Sequence, residues 1–177
     1  MAEIVEPPKS RGGVTPPTRL DPAHDLSQFD CGKAQLNDWL RNTALTSEGQ
    51  TARTYVVCHG NAVVGYYCIS MGSAERKALP SRLKRKQGLP DHIPVAMIGR
   101  LARDQDPQWK GLGKDLLQDA LIRIVSVSDH IGVRCILVHA IDDDAAKYWR
   151  DLEFQEYPEG SRTFFMAIET IIDALSR

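Results

Sequence analysis

A chain of 177 residues is long enough for one ordinary domain with a genuine core, and a net charge of −1 excludes a nucleic-acid binder that works by bulk charge. With 42% hydrophobic and 25% charged residues, the composition is that of a soluble globular protein. No apolar run reaches bilayer length and the N-terminus has no apolar signal-peptide core, so the expected location is cytoplasmic, with no membrane partner.

Residues 1–23 carry Pro7-Pro8, Gly12-Gly13 and Pro16-Pro17 and few large apolar side chains, which predicts a flexible or extended N-terminal arm. The domain proper is expected over residues 24–177. Asp30 to Leu45 reads as a helix, with Leu36, Trp39, Leu40 and Ala44 at helical spacing. Two strand-like runs follow, Thr54–Cys58 and Ala62–Met71, joined by His59-Gly60-Asn61, which has the residue types of a tight hairpin. Next comes a run of six cations without an acid: Arg76, Lys77, Arg82, Lys84, Arg85 and Lys86. Taken alone, such a run is either a solvated polar loop or a surface for phosphates.

Val95–Ala102 is nearly continuous in apolar character, as expected of a strand covered on both faces. After a loop over Asp104–Pro107, the stripe Leu112, Leu116, Ala120, Leu121, Ile124 and Val125 predicts a strong amphipathic helix. Cys135–Ala140 is a further buried strand, and Asp142–Leu152 a shorter helix with Ala145, Tyr148, Trp149 and Leu152 on one face. Thr163–Ile168 closes the pattern as a final strand. The alternation implies an α/β fold (α+β, mixed sheet) in a single domain, the early hairpin making the sheet mixed.

Chemistry concentrates in a few places. The four cysteines and five histidines show no ligand spacing, and Asp142-Asp143-Asp144 reads as the start of a helix, so no metal is expected. Gln108-Trp109-Lys110-Gly111-Leu112-Gly113 lies between a buried strand and an amphipathic helix. Free N–H groups at a helix start, together with the helix dipole, make an anion site, and glycines let a diphosphate approach the backbone. Lys110 and Lys114 add charge. The residues alone also permit a plain glycine turn.

This segment matches the [Q/R]-x-x-G-x-[G/A] acetyl-CoA motif of the GNAT acetyltransferases. His24–Leu40, Val64-Gly65-Tyr66-Tyr67, Ile93-Pro94-Val95, Gly99-Arg100-Leu101-Ala102 and Val138-His139-Ala140 further resemble the GNAT toxins of toxin–antitoxin modules, over about residues 20–170. Trp109 departs from the pattern, standing where those toxins usually carry glycine. The resemblance implies the GNAT acyl-CoA N-acyltransferase fold, with acetyl-CoA as co-substrate and no metal. It implies that Leu101, Ala102 and Arg103 run beside the pantetheine arm on a splayed strand. Gln108, Trp109, Lys110, Gly111, Leu112, Gly113 and Lys114 would wrap the pyrophosphate.

It implies also that Tyr148 gives a proton to the departing thiolate as general acid; by its residue pattern alone, Tyr148 is a core aromatic. The implied acceptor is the α-amine of aminoacyl-tRNA, met by the Arg76–Lys86 run. Implied partners are a ribbon-helix-helix antitoxin, operator DNA bound through that complex, and a second copy in a homodimer. Two rivals stand beside this reading: a GNAT acting on a small amine or protein N-terminus, and a non-catalytic co-repressor.

Overall fold

The computed structural model describes residues 12–176, which divide into two compact units, one of residues 12–70 and 99–120, the other of residues 71–98 and 121–176. In the first unit, β2 (Arg53–His59) and β3 (Ala62–Glu75) pair antiparallel from Arg53↔Ile69 to His59↔Ala62. Their turn holds Gly60 at φ 60°, a left-handed geometry that glycine takes without strain. Part of the expected arm is fixed here. Thr15 donates its N–H to the Cys58 carbonyl, β1 (Thr18–Arg19) pairs with Val56 and Tyr55, and Leu20 is buried. Residues 1–11 of that arm lie outside the described residues.

The expected helix from Asp30 begins later, as α1 (Ala34–Asn42), and breaks at Thr43 before the short α2 (Ala44–Ser47). Its start is delayed because the Asp30 carboxylate accepts from the Gly32 N–H (2.8 Å) and from Asn37 Nδ2 (2.8 Å), which folds residues 30–32 into a turn. Phe29, Leu36, Leu40, Val56 and Tyr66 form the core of this unit. Tyr66 can be buried because its hydroxyl donates to the Leu36 carbonyl (2.8 Å).

In the second unit, β4 (His92–Arg103) runs parallel to β5 (Cys135–His139), and β7 (Thr163–Ala167) pairs antiparallel with β5. The two-residue β6 (Gln155–Glu156) edges β7, and α5 (Asp143–Asp151) connects β5 to it. The basic run is not a plain loop. A 3-10 turn at Arg76–Ala78 leads into α3 (Ser81–Lys84), anchored by Leu79 and Leu83 in a cluster with Ile93, Val95, Cys135, Leu137 and Phe165.

Two further elements are α4 (Leu112–Ser128), which the sequence places well, and α6 (Ile168–Leu175), which it does not. The final strand turns directly into α6 with Ala167 as N-cap, burying Ile168, Ile171 and Ala174. The seven strands are ordered β1-β2-β3-β4-β5-β7-β6, a mixed sheet as the alternation predicts. Among the described residues, no helix is long and apolar enough to cross a membrane.

Candidate active site

The β4–β5 register covers Val95↔Cys135 to Ile98↔Val138 and stops there, among the described residues, while β4 itself continues to Arg103. Leu101 and Arg103 are half-buried and Ala102 is buried. Beside them opens a pocket of about 240 Å³, with Cys31, Lys33 and Leu36 forming its other wall. Burial pushes the Cys31 thiol up, opposed by its hydrogen bond with the Lys33 backbone.

Asp104 shapes the loop that leads out of β4. Its carboxylate accepts from the Asp30 N–H (3.0 Å) and the Asp106 N–H (2.9 Å), and its own N–H reaches the Val64 carbonyl (2.8 Å). Gln105 Nε2 donates to Asp30 (2.9 Å), so the Asp30 turn and this loop are tied together. Asp106 then caps a 3-10 turn over Pro107–Trp109, accepting from the Gln108 N–H and from Gln108 Nε2, each at 3.0 Å. Gly111 comes next at φ 90°, and α4 opens at Leu112. A 17-residue helix therefore starts on a left-handed glycine with Lys110 and Lys114 exposed beside it. That is the physical requirement for holding a diphosphate.

Gly65 on β3 decides how close this helix start can lie. A Cβ there would meet Leu112 Cδ2 at 2.9 Å and Leu116 Cδ1 at 3.0 Å. Glycine lets the first turn of α4 rest directly on the strand. The position is visible in the sequence as Val64-Gly65-Tyr66, but nothing in the sequence says what it touches. Trp109 stands differently from its neighbours. It is 7% exposed and packs on His59 of the β2–β3 turn, with ring centroids 5.4 Å apart. Its indole pins the loop to the hairpin, and its backbone N–H donates to the Asp106 carbonyl (3.0 Å). The Gln108 side chain is likewise engaged by Asp106.

In the other unit, Asp142 caps α5 by accepting from the Ala145 N–H (2.9 Å), and Asp143 pairs with Arg162 (2.7 Å). These aspartates serve the helix start, and the described residues contain no cluster fit to hold a metal. The helix buries Ala146 and Trp149, with Leu152 beyond it, whereas Ala145 and Tyr148 are half-buried; the face thus differs by a fraction of a turn from the one expected. Tyr148 lies edge-on to Trp149 (5.1 Å), which in turn packs on Phe154 (5.1 Å). Burial pushes the Tyr148 hydroxyl up to about 12, so it holds its proton at any physiological pH.

The six cations are not equivalent. Arg76 pairs with Asp91 (3.1 Å), Lys77 with Glu75 (2.9 Å) and Lys86 with Glu169 (2.7 Å). Lys84 donates to the Lys77 carbonyl (2.8 Å) and sits over the Tyr157 ring. Arg82 and Arg85 are exposed and make no ion pair among the described residues. Three residues apart on helical backbone, they share one face, and Leu83 between them points into the core.

No family model matches the chain. A tRNA-acetylating toxin of Mycobacterium tuberculosis (strain ATCC 25618 / H37Rv) is 39% identical over 147 residues, spanning 82% of this chain and 87% of that one. The chain belongs to the tRNA-acetylating toxin family. A probable toxin TacT of Sinorhizobium fredii (strain NBRC 101917 / NGR234) is 32% identical over 86% of this chain and 90% of its own. Among solved structures, AtaT complexed with acetyl-methionyl-tRNAfMet superposes with a TM-score of 0.82 at 29% identity, covering 93% of this chain and 99% of AtaT. AtaTR bound with AcCoA gives 0.78 at 30% identity over 90% and 96%, and an AtaT mutant bound to the C-terminus of the antitoxin AtaR gives 0.78 at 26% over 93% and 99%. The mixed sheet and its helices are those of the GNAT-fold toxins of this family.

Proposed function

We propose that this protein is the toxin of a type II toxin–antitoxin pair, an N-acetyltransferase that moves acetyl from acetyl-CoA to the α-amino group of aminoacyl-tRNA and so blocks translation. The observation that carries the reading is the helix start at Gly111–Leu112, set close on Gly65 and preceded by a β4 edge that outruns its register with β5. A relative whose name specifies tRNA acetylation, and neighbours solved with AcCoA and with acetyl-methionyl-tRNA, support it.

Acetyl-CoA supplies the acetyl group as a thioester, and its pyrophosphate suits the helix start at Gly111–Gly113 with the charges of Lys110 and Lys114 alongside. Gln108 and Trp109 hold the loop in shape rather than touch the ligand with their side chains. Leu101, Ala102 and Arg103 offer backbone groups to the pantetheine arm. The amine attacks the acyl carbon, the C–S bond breaks, nitrogen loses a proton to water, and the departing thiolate takes one from the neutral Tyr148 hydroxyl, which regains its proton from water. An α-amine next to an ester is less basic than a lysine, so it enters without a dedicated base. Arg82 and Arg85 give sequence-independent affinity for tRNA phosphates, with Arg76, Lys77 and Lys86 able to exchange weak surface partners for phosphate and Lys84 adding charge from its place on the Lys77 carbonyl.

A ribbon-helix-helix antitoxin, repression of the operon through the joint complex, a homodimer and a cytoplasmic location complete the reading. The deciding experiment is mass spectrometry of charged tRNA incubated with the enzyme and labelled acetyl-CoA. Label on the α-amine of the tRNA-borne amino acid is expected. Label on free amino acids or protein alone overturns the substrate assignment. Expression without a partner should arrest growth, and a harmless wild type would end the toxin reading.

A further inference from the structure

Arg134 belongs to none of the acetyl-CoA or toxin motifs, yet it lies under the basic run. Its backbone is held at both ends: the N–H donates to the Pro94 carbonyl (2.9 Å), and the carbonyl accepts from the Ile168 N–H (3.2 Å). The side chain therefore leaves from a fixed point, and only 13% of it is exposed. From there the guanidinium forks. Nη1 donates to Glu169 (2.6 Å), while Nε and Nη2 both reach the Leu83 carbonyl at 3.4 Å. Leu83 belongs to the last turn of α3, where carbonyls lack helical partners and a cation is favoured. Glu169, on the first turn of α6, completes the arrangement by also accepting from Lys86 (2.7 Å).

The four-residue α3 cannot persist by its own hydrogen bonds. It is held by Leu83 in the core, by Lys84 on the Lys77 carbonyl, and by the Arg134 fork. Its outward face carries Arg82 and, at the C-cap, Arg85, which are exposed and make no ion pair among the described residues.

We propose that Arg134 and Glu169 are a positioning pair for the nucleic-acid substrate: they fix α3 so that Arg82 and Arg85 meet tRNA phosphates together. Neither residue itself touches the tRNA, and the inference rests on the protein being a tRNA acetyltransferase. The pair converts a basic segment into a preorganised two-cation contact, which saves the ordering cost that a mobile loop would incur on binding.

The test is steady-state acetylation of aminoacyl-tRNA by Arg134→Lys, which keeps the charge and the Glu169 pair but loses the forked reach to Leu83. KM for tRNA should rise about five- to tenfold, the equivalent of one charge-assisted hydrogen bond, with KM for acetyl-CoA and kcat as in wild type. Glu169→Gln is the second variant and is informative even if Arg134→Lys does not fold. It makes the surface one charge more positive, so bulk electrostatics alone would tighten tRNA binding, whereas loss of positioning weakens it. Wild-type KM for tRNA in a folded Arg134→Lys, or tighter tRNA binding by Glu169→Gln, overturns the proposal. A wild-type enzyme that leaves tRNA unlabelled in the same assay overturns the functional reading instead, so the two failures are separable.

Discussion

Gly65→Ala adds a single methyl group at the place where β3 meets the first turn of α4. The new carbon would sit 2.9 Å from Leu112 Cδ2, 3.0 Å from Leu116 Cδ1 and 3.5 Å from Leu112 Cγ. Unstrained carbons rest about 3.5–4.0 Å apart, so the helix start must withdraw by roughly half an ångström or more. Leu112 is 2% exposed and Leu116 fully buried, so neither has free space into which its tip can swing. Overpacking of this kind costs about 1–3 kcal/mol. In a chain of this size each kcal/mol lowers Tm by about 2–4 °C, which makes the loss measurable by thermal unfolding. A functional effect should accompany the stability effect, because in the proposed reading the start of α4 holds the pyrophosphate. Wild-type protein at about 100 times the Kd of acetyl-CoA gains about 2.7 kcal/mol of ligand stabilisation. Gly65→Ala should lose about half of that gain, which corresponds to a Kd by calorimetry about tenfold weaker. A variant with wild-type Tm and wild-type Kd for acetyl-CoA would refute the argument that this glycine sets the height of the helix start.

Tyr148→Phe should leave the fold intact and lower acetyl transfer by at least ~100-fold in single-turnover assays, the low end for a lost general acid. Since Tyr148 titrates near 12 against an ordinary 10.0, the rate should show no alkaline loss from this group below about pH 11. The same shift makes the folded state hold the proton more tightly than the unfolded one, so its contribution to stability is complete below pH 10 and is lost between pH 10 and 12. Reversing both Arg82 and Arg85 to Glu should weaken tRNA binding and flatten the salt dependence of log Kd by about 2, roughly one per phosphate contact, as read by titration at several salt concentrations. Lys77→Glu, at a cation already paired with Glu75, should do much less in the same titration. Trp109→Ala removes a buried indole from His59 and should cost about 3–5 kcal/mol in denaturant unfolding while loosening acetyl-CoA, an outcome a solvent-exposed Trp109 would not give.

Much of the fold was legible because burial writes a period into the chain. The amphipathic stripe of α4 and the continuous apolar runs of β4 and β5 announced themselves, and so did the hairpin around Gly60. The C-terminal helix did not. Phe164 to Ile172 holds no glycine or proline, so no local breaker marks where the strand period of β7 gives way to the helical spacing of Ile168, Ile171 and Ala174. The Asp30 turn that shortens α1 depends on contacts to Asn37 and to Gln105, the latter 75 residues away, and no window on the sequence contains them both.

The sequence by itself determined the alternation of strands and helices, the glycine-rich entry to α4 and the density of charge at Arg76–Lys86, because each is a pattern among near neighbours. Tertiary structure alone decided how those patterns are used. It turned Trp109 inward onto His59 and made Gly65 the floor beneath Leu112. It also divided six similar cations into four with internal partners and two facing solvent. The physical reason is common to all of these: which atoms a side chain meets is set by long-range packing, and residue identity alone cannot specify that.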